Sequence, residues 1–123
     1  MLDTSLLIDV LRRSPEAIAR MRSLYEAGDE PLVTSVVVSE VWSGATGAVD
    51  DDLDAVLRYF EYVHPGPSTS RLAGTWRAAA RRSGHTIGVE DALIAATAFD
   101  QEATVLTRNV RDFALTPVRV ETY

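Results

Sequence analysis

Short apolar runs alternate along the chain with longer stretches whose apolar residues recur every three or four positions. That alternation predicts strands and helices in turn, the pattern of an α/β fold with a parallel sheet. Met1-Leu2 reads as the stub of a first strand, and Thr4 to Arg13 as a helix with Leu6, Leu7, Val10 and Leu11 on one side. Ser14-Pro15-Glu16 opens the next helix with a cap and a proline at its first position, and Gly28 stops it. Pro31 to Thr34 is a second strand. In SVVVSEVWSG, from Ser35, the β-branched residues suit a strand, but Ser43-Gly44 and the isolated Glu40 favour a buried helix. Residues 50 to 61 form an acid-capped helix, Tyr62 to His64 a strand, Pro65-Gly66-Pro67 a turn, and Ser68 to Ser83 a helix ended by Gly84. Val89 to Gln101 follows as a helix, then Thr104 to Thr107 as a strand, Val110 to Phe113 as a helical turn and Val118 to Val120 as a last strand.

The 123 residues suit one compact domain spanning 1–123, with no repeat or linker, and 46% hydrophobic with 24% charged residues excludes disorder as the main state. All 12 cations are Arg. Without Lys there is no P-loop and no Schiff base, and without Cys there is no thiol nucleophile, Cys-ligated zinc or disulfide. Only His64 and His85 supply imidazoles. No apolar run is long enough to span a bilayer and no signal pattern opens the chain, so a cytoplasmic protein without membrane contact is expected.

Four acids call for explanation. Asp3 falls at the carboxyl end of the first predicted strand, the edge where open α/β sheets collect ligands, although capping the next helix explains it equally well. Glu40 has Val36, Val37, Ser43 and Gly44 as its helical neighbours, a face with no other charge. A desolvated carboxylate there needs a cation, a metal or a proton, and a structural pair with an Arg is the simpler alternative. Asp91 repeats the pattern among Ile87, Gly88, Ile94 and Ala95, in a first helical turn where the dipole favours its charge; helix capping is the alternative. Asp112 follows the strand ending at Thr107, and its spacing from Asn109 also fits a capping pair.

Taken together, the α/β pattern brings Asp3, Asp112 and the start of the Asp91 helix to one edge, with Glu40 within reach. Carboxylates so grouped repel and take up protons unless a cation sits among them. All-oxygen donors select Mg²⁺ or Mn²⁺, ions that activate water against a phosphodiester.

The stretches DTSLLIDVL, SEVWSG, DALIAATA and VLTRNVRDF resemble, in order and spacing, the motifs of PIN-domain ribonucleases and more narrowly of VapC toxins. The resemblance covers nearly the whole chain, although only two residues precede Asp3 where a fuller first strand is common. It implies a three-layer α/β/α sandwich around a parallel sheet, with Mg²⁺ or Mn²⁺ held by Asp3, Asp91, Glu40 and Asp112 as catalytic acids. Asn109 is the alternative to Asp112 for the inner position, and Glu90 is a second candidate beside Asp91, which keeps the family offset to Ile-Ala-Ala. Thr4, Ser5, Thr107 and Asn109 match polar residues that orient carboxylates or water. An RNA substrate, a VapB-type antitoxin and a homodimer are implied as partners.

The net charge of −6 sits oddly with a polyanionic substrate. Distribution resolves it if Asp50, Asp51, Asp52 and Asp54 lie on a distant helix while Arg12, Arg13, Arg81, Arg82, Arg108 and Arg111 rim the site. Arg81 and Arg82 also fit a helix C-terminus, where they complement its dipole. His85 reads as solvated, and Trp42 and Trp76 as core or interface. A protein of this fold without useful catalysis, binding its antitoxin as a regulator, is the competing reading, and retention of all four acids argues against it. A phosphotransfer receiver would need a Lys.

Overall fold

The computed structural model describes residues 1–44 and 49–123, and for residues 49–51 only the backbone. Helix α1 spans Thr4–Leu11, α2 Pro15–Glu26, α3 Ser35–Ser43, α4 Val49–Leu57, α5 Pro67–Arg82 and α6 Val89–Asp100. Strands are β1 Leu32–Thr34, β2 Glu61–Val63, β3 Val105–Leu106 and β4 Val120–Glu121, with a 3-10 turn at Val110–Phe113. The alternation read from the sequence is therefore present, with shifted ends. The helix expected over 50–61 stops at Leu57, because Glu61 already pairs with Leu32 in a parallel ladder. Helix α1 ends at Leu11, and Arg13 takes a positive φ of 57°. Ser14 caps α2, accepting a hydrogen bond from Ala17 N–H ahead of Pro15, and Gly28 takes φ 79° beyond its end, as those residue types dictate.

β1 and β2 pair in parallel, and so do β3 and β4. The first two residues join the pairs: Leu2 N–H donates to Leu32 O at 2.8 Å, and Leu2 forms a parallel bridge with Leu106. The spatial order is β2, β1, the Met1-Leu2 segment, β3, β4, so the chain's start lies centrally between strands that come later in sequence. The order reverses there, and in open α/β sheets the crevice beyond the carboxyl ends at such a reversal is where ligands bind.

Side-chain alternation divides the core across the sheet. Leu2 and Leu106 face α1 and α2 through Leu6, Val10, Ala17, Met21 and Leu24. Met1, Val33 and Val105 face the other way, against Val37 of α3 and Ile94, Ala95 and Ala98 of α6. Five alanine and threonine positions of α6 are buried along with Ile94, and this small-residue surface lets the helix lie close under both the sheet and α5. Trp76 of α5 packs edge-on against Phe99 of α6, their centroids 5.7 Å apart, whereas Trp42 is half-exposed. Among the described residues no helix is long and apolar enough to cross a membrane.

Phe113 carries the 3-10 turn into the core beside Ile94 and Val105 and is 1% exposed. Phe113→Ala is expected to cost about 3–5 kcal/mol in urea unfolding, and a loss below ~1 kcal/mol would contradict this anchoring.

Candidate functional site

The sheet reversal places Asp3 and Thr107 on neighbouring strand ends, and α3, α6 and the 3-10 turn deliver the remaining acids. Asp3 N–H donates to Leu106 O at 3.1 Å, which fixes its backbone to β3. Asp3 holds the N-cap position of α1, yet its carboxylate makes no capping bond. Oδ2 instead accepts from Thr107 Oγ1 at 2.6 Å and Ser5 Oγ at 3.1 Å, and the side chain is buried. Thr107 has a single hydroxyl proton. Because Asn109 N–H donates to Thr107 Oγ1 at 2.9 Å, that proton is directed to Asp3.

Glu40 is not the desolvated group its apolar neighbours suggested. It is half-buried on α3, and its Oε2 accepts a short hydrogen bond from Thr4 Oγ1; the helix face opens onto the cavity rather than into the core. The alternative of an Arg partner is not realised, since the ion pairs among the described residues are Arg20–Glu121 and Arg108–Asp9. Asp91 stands in the first turn of α6, half-buried, with Gly88 at the N-cap. A Cβ on Gly88 would lie 3.2 Å from Asp91 Oδ2, so this glycine leaves room for the carboxylate. Asp112 is exposed on the 3-10 turn, and the capping bond expected of Asn109 is absent, the turn being closed by Asp112 N–H donating to Asn109 O at 3.0 Å.

Asp3, Glu40, Asp91 and Asp112 line one cavity of about 450 Å³ together with Thr4, Ser5, Asn109, Arg12 and Arg108. A neighbouring cavity of about 430 Å³ shares Asp91 and Asp112 and adds His85, Arg111 and Leu115, so an open groove runs past the acids. Arg13, Arg81 and Arg82 line neither, and Arg81 and Arg82 occupy the last turn of α5, where they offset its dipole. Glu90 is exposed and lines neither cavity. Asp52 and Asp54 are exposed on α4 away from the groove, while the side chains of Asp50 and Asp51 lie outside the described residues. A separate cavity of about 310 Å³ at the amino edge of the sheet contains none of the four acids.

Electrostatics marks the acidic cavity as frustrated. Asp91 is pushed up from 3.8 to about 6, first by desolvation and then by repulsion from Asp112, Asp3, Glu40 and Glu90. Among the described residues no three acidic or imidazole side chains converge tightly enough to hold a metal ion together. Asp3 and Glu40 each accept from hydroxyl donors. The donor set nevertheless fits a hard divalent cation: it is all oxygen and anionic, and desolvation and then repulsion from its neighbours raise Asp91.

Sequence reasoning overlooked Asp9 and Tyr123. Asp9 is buried on α1, paired with Arg108 and hydrogen-bonded by Tyr123 OH at 2.7 Å. Its position between Ile8 and Val10 in an otherwise apolar helix was the available signal, the same one that singled out Glu40.

A family model described as PIN domain matches residues 1–117. Ribonuclease VapC19 of Mycobacterium tuberculosis is 30% identical over 117 residues, 95% of this chain and 94% of that protein. Ribonuclease VapC1 of Haemophilus influenzae is 25% identical over 118 residues, 92% of this chain and 88% of the relative. In fold, the chain is similar to the VapBC2 complex of Rickettsia felis bound to a promoter DNA fragment, with TM-score 0.90, 22% identity and coverage of 100% of this chain and 97% of that one. DNA-bound VapBC from Salmonella typhimurium gives TM-score 0.79 at 25% identity, covering 99% and 96%. With the family model spanning nearly the whole chain and the sheet reversal carrying its acids, the protein belongs to the PIN-domain family, among its VapC members.

Proposed function

We propose that the chain is a Mg²⁺- or Mn²⁺-dependent endoribonuclease and the toxin of a pair with a VapB-type antitoxin, acting in the cytoplasm. The observation that carries the reading is the cavity lined by four carboxylates, in which desolvation and then repulsion from its neighbours raise Asp91. Relatives named as VapC ribonucleases and neighbours solved as VapBC complexes support it. The homodimer rests on the family resemblance alone.

Asp3, Glu40, Asp91 and Asp112 would hold the ion. When bound, it neutralises the carboxylates, lowers the pKa of water and offsets charge developing on the phosphodiester. The protein's part is positioning. Ser5 and Thr107 hold Asp3 in one orientation, Thr4 holds Glu40, and Gly88 clears space for Asp91. Arg12 and Arg108 on one side of the acids, and Arg111 on the other, offer cationic ground to successive phosphates of a strand lying in the groove. Such a path reconciles a net charge of −6 with an RNA substrate.

Incubating total cellular RNA with the purified, partner-free protein tests the reading. Discrete fragments are expected with Mg²⁺ or Mn²⁺, and none with chelator or with Asp91→Asn. A folded, metal-loaded protein that cuts nothing would favour a regulatory protein of the same fold, and undiminished cleavage by folded Asp91→Asn would remove Asp91 from the machinery. Thr107→Val, which deletes the donor to Asp3 while keeping the shape, is expected to lower cleavage about 10- to 100-fold. A folded Thr107→Val enzyme at full rate would contradict the orienting role.

Stability should also follow pH in a stated direction. A folded pKa raised from 3.8 to about 6 favours the native state only while Asp91 is protonated. In metal-free protein this contribution is therefore complete below about pH 4 and lost as pH rises through about 6. Solvent screening of a half-buried group reduces its size to the order of 1 kcal/mol. Melting curves of wild type against Asp91→Asn in chelator should diverge across that window, the wild type losing stability relative to the variant as pH rises. Parallel curves throughout would refute the raised pKa of Asp91.

A further inference from the structure

Asp9 is a buried carboxylate for which the reading above has no use. It lies on α1 four residues after Ser5, so the two side chains share a helix face. Both reach the residue that follows β3 and Thr107. Ser5 Oγ accepts from Arg108 N–H at 3.3 Å, and Asp9 takes the Arg108 guanidinium, with Nη2 3.1 Å from Oδ1 and 3.0 Å from Oδ2. Tyr123 OH closes the arrangement from a third element, donating to Asp9 Oδ2 at 2.7 Å. Burial and this hydrogen bond push the Tyr123 phenol up to about 12, which keeps it a donor at any working pH.

Stability alone is a poor account of the pair. The Arg108 side chain is 54% exposed against 9% for Asp9, and an ion pair open to water on one side contributes about 0–1 kcal/mol, while burying the carboxylate costs more. Location is more telling. Arg108 lines the cavity with Asp3, Glu40, Asp91 and Asp112, yet among the described residues it pairs with none of them. Released from Asp9, the Arg108 guanidinium, one residue after the hydroxyl that holds Asp3, would be drawn toward these carboxylates and compete with a metal ion for them. Asp9 holds it back through one nitrogen. The guanidinium has five N–H donors in a fork that matches phosphate oxygens, so donors remain for a ligand.

We propose that Asp9, seated by Tyr123, is a positioning residue that holds Arg108 on the cavity wall as a phosphate-binding group for RNA and away from the metal-binding acids. The proposal rests on the nuclease reading and adds to it a device that keeps cation and acids apart.

A double-mutant cycle tests it, using a labelled RNA that the wild type cleaves and following KM, kcat and their salt dependence. Asp9→Asn, which keeps an acceptor for Tyr123, is expected to raise KM roughly five- to tenfold and to raise the Mn²⁺ concentration that half-saturates cleavage, with kcat at saturating Mn²⁺ within about twofold, and to make the salt dependence shallower by about one phosphate contact. Arg108→Ala should do at least as much, and the double variant no more than Arg108→Ala. Unchanged KM in Asp9→Asn, or effects that add in full, would overturn the proposal, since a purely structural Asp9 would act independently of Arg108. If Asp9→Asn fails to fold, Tyr123→Phe takes its place in the same cycle, with a smaller KM rise expected that again vanishes in the Arg108→Ala background. A wild type that cleaves nothing overturns the nuclease reading and this proposal with it, whereas a wild type that cleaves beside an unaltered Asp9→Asn overturns this proposal alone.

Discussion

Mutual repulsion among carboxylates is the constraint around which the rest of the molecule is arranged. Asp3, Glu40, Asp91 and Asp112 come from four different elements, and no local sequence preference would bring them together. Large, cheap apolar burial does so. Leu2 and Leu106 seal one face of the sheet, Ile94 and Phe113 the other, and these contacts hold the strand ends and the start of α6 where the acids meet. Core packing supplies the work of burying and assembling like charges, and the cost shows in the pKa of Asp91, raised first by desolvation and then by its acidic neighbours.

Hydroxyls then decide how each acid waits. Asp3 is held by Ser5 and Thr107, and Glu40 by Thr4, so two of the four have fixed donors. Asp91 and Asp112 have no such partner among the described residues and are the groups free to respond to a cation. Around them the cations make no ion pair with the four acids among the described residues: Arg108 is held by Asp9, and Arg12 and Arg111 line the groove. Consecutive residues thus serve different acids: Thr107 donates to Asp3, Arg108 pairs with Asp9, and Asn109 N–H donates back to Thr107.

Much of this was legible in the sequence because it is local. The helix at Ser35–Ser43 and the turn at Val110–Phe113 stand where spacing put them, and the four acids announced themselves as lone charges on apolar faces or at strand ends. What escaped depends on distant partners. The early start of β2 at Glu61 is set by pairing with Leu32, not by its own pattern, which reads as a continuing helix. Glu40 seemed buried because its helix neighbours are apolar, and only the approach of Thr4, 36 residues earlier, shows where it points. Asp9 finds its partners 99 and 114 residues away, at Arg108 and Tyr123, so its burial had no local explanation to offer.

Asp91 is coupled electrostatically to the other three carboxylates, and a bound divalent ion would relieve that coupling. Calorimetric titration of Mn²⁺ into the protein, repeated in buffers of different ionisation enthalpy, measures that coupling as protons released on binding. Near pH 6 the account predicts release of a substantial fraction of a proton, fading by about pH 8 and absent in Asp91→Asn. Mn²⁺ binding with no proton release at pH 6, or release unaltered in Asp91→Asn, would contradict it.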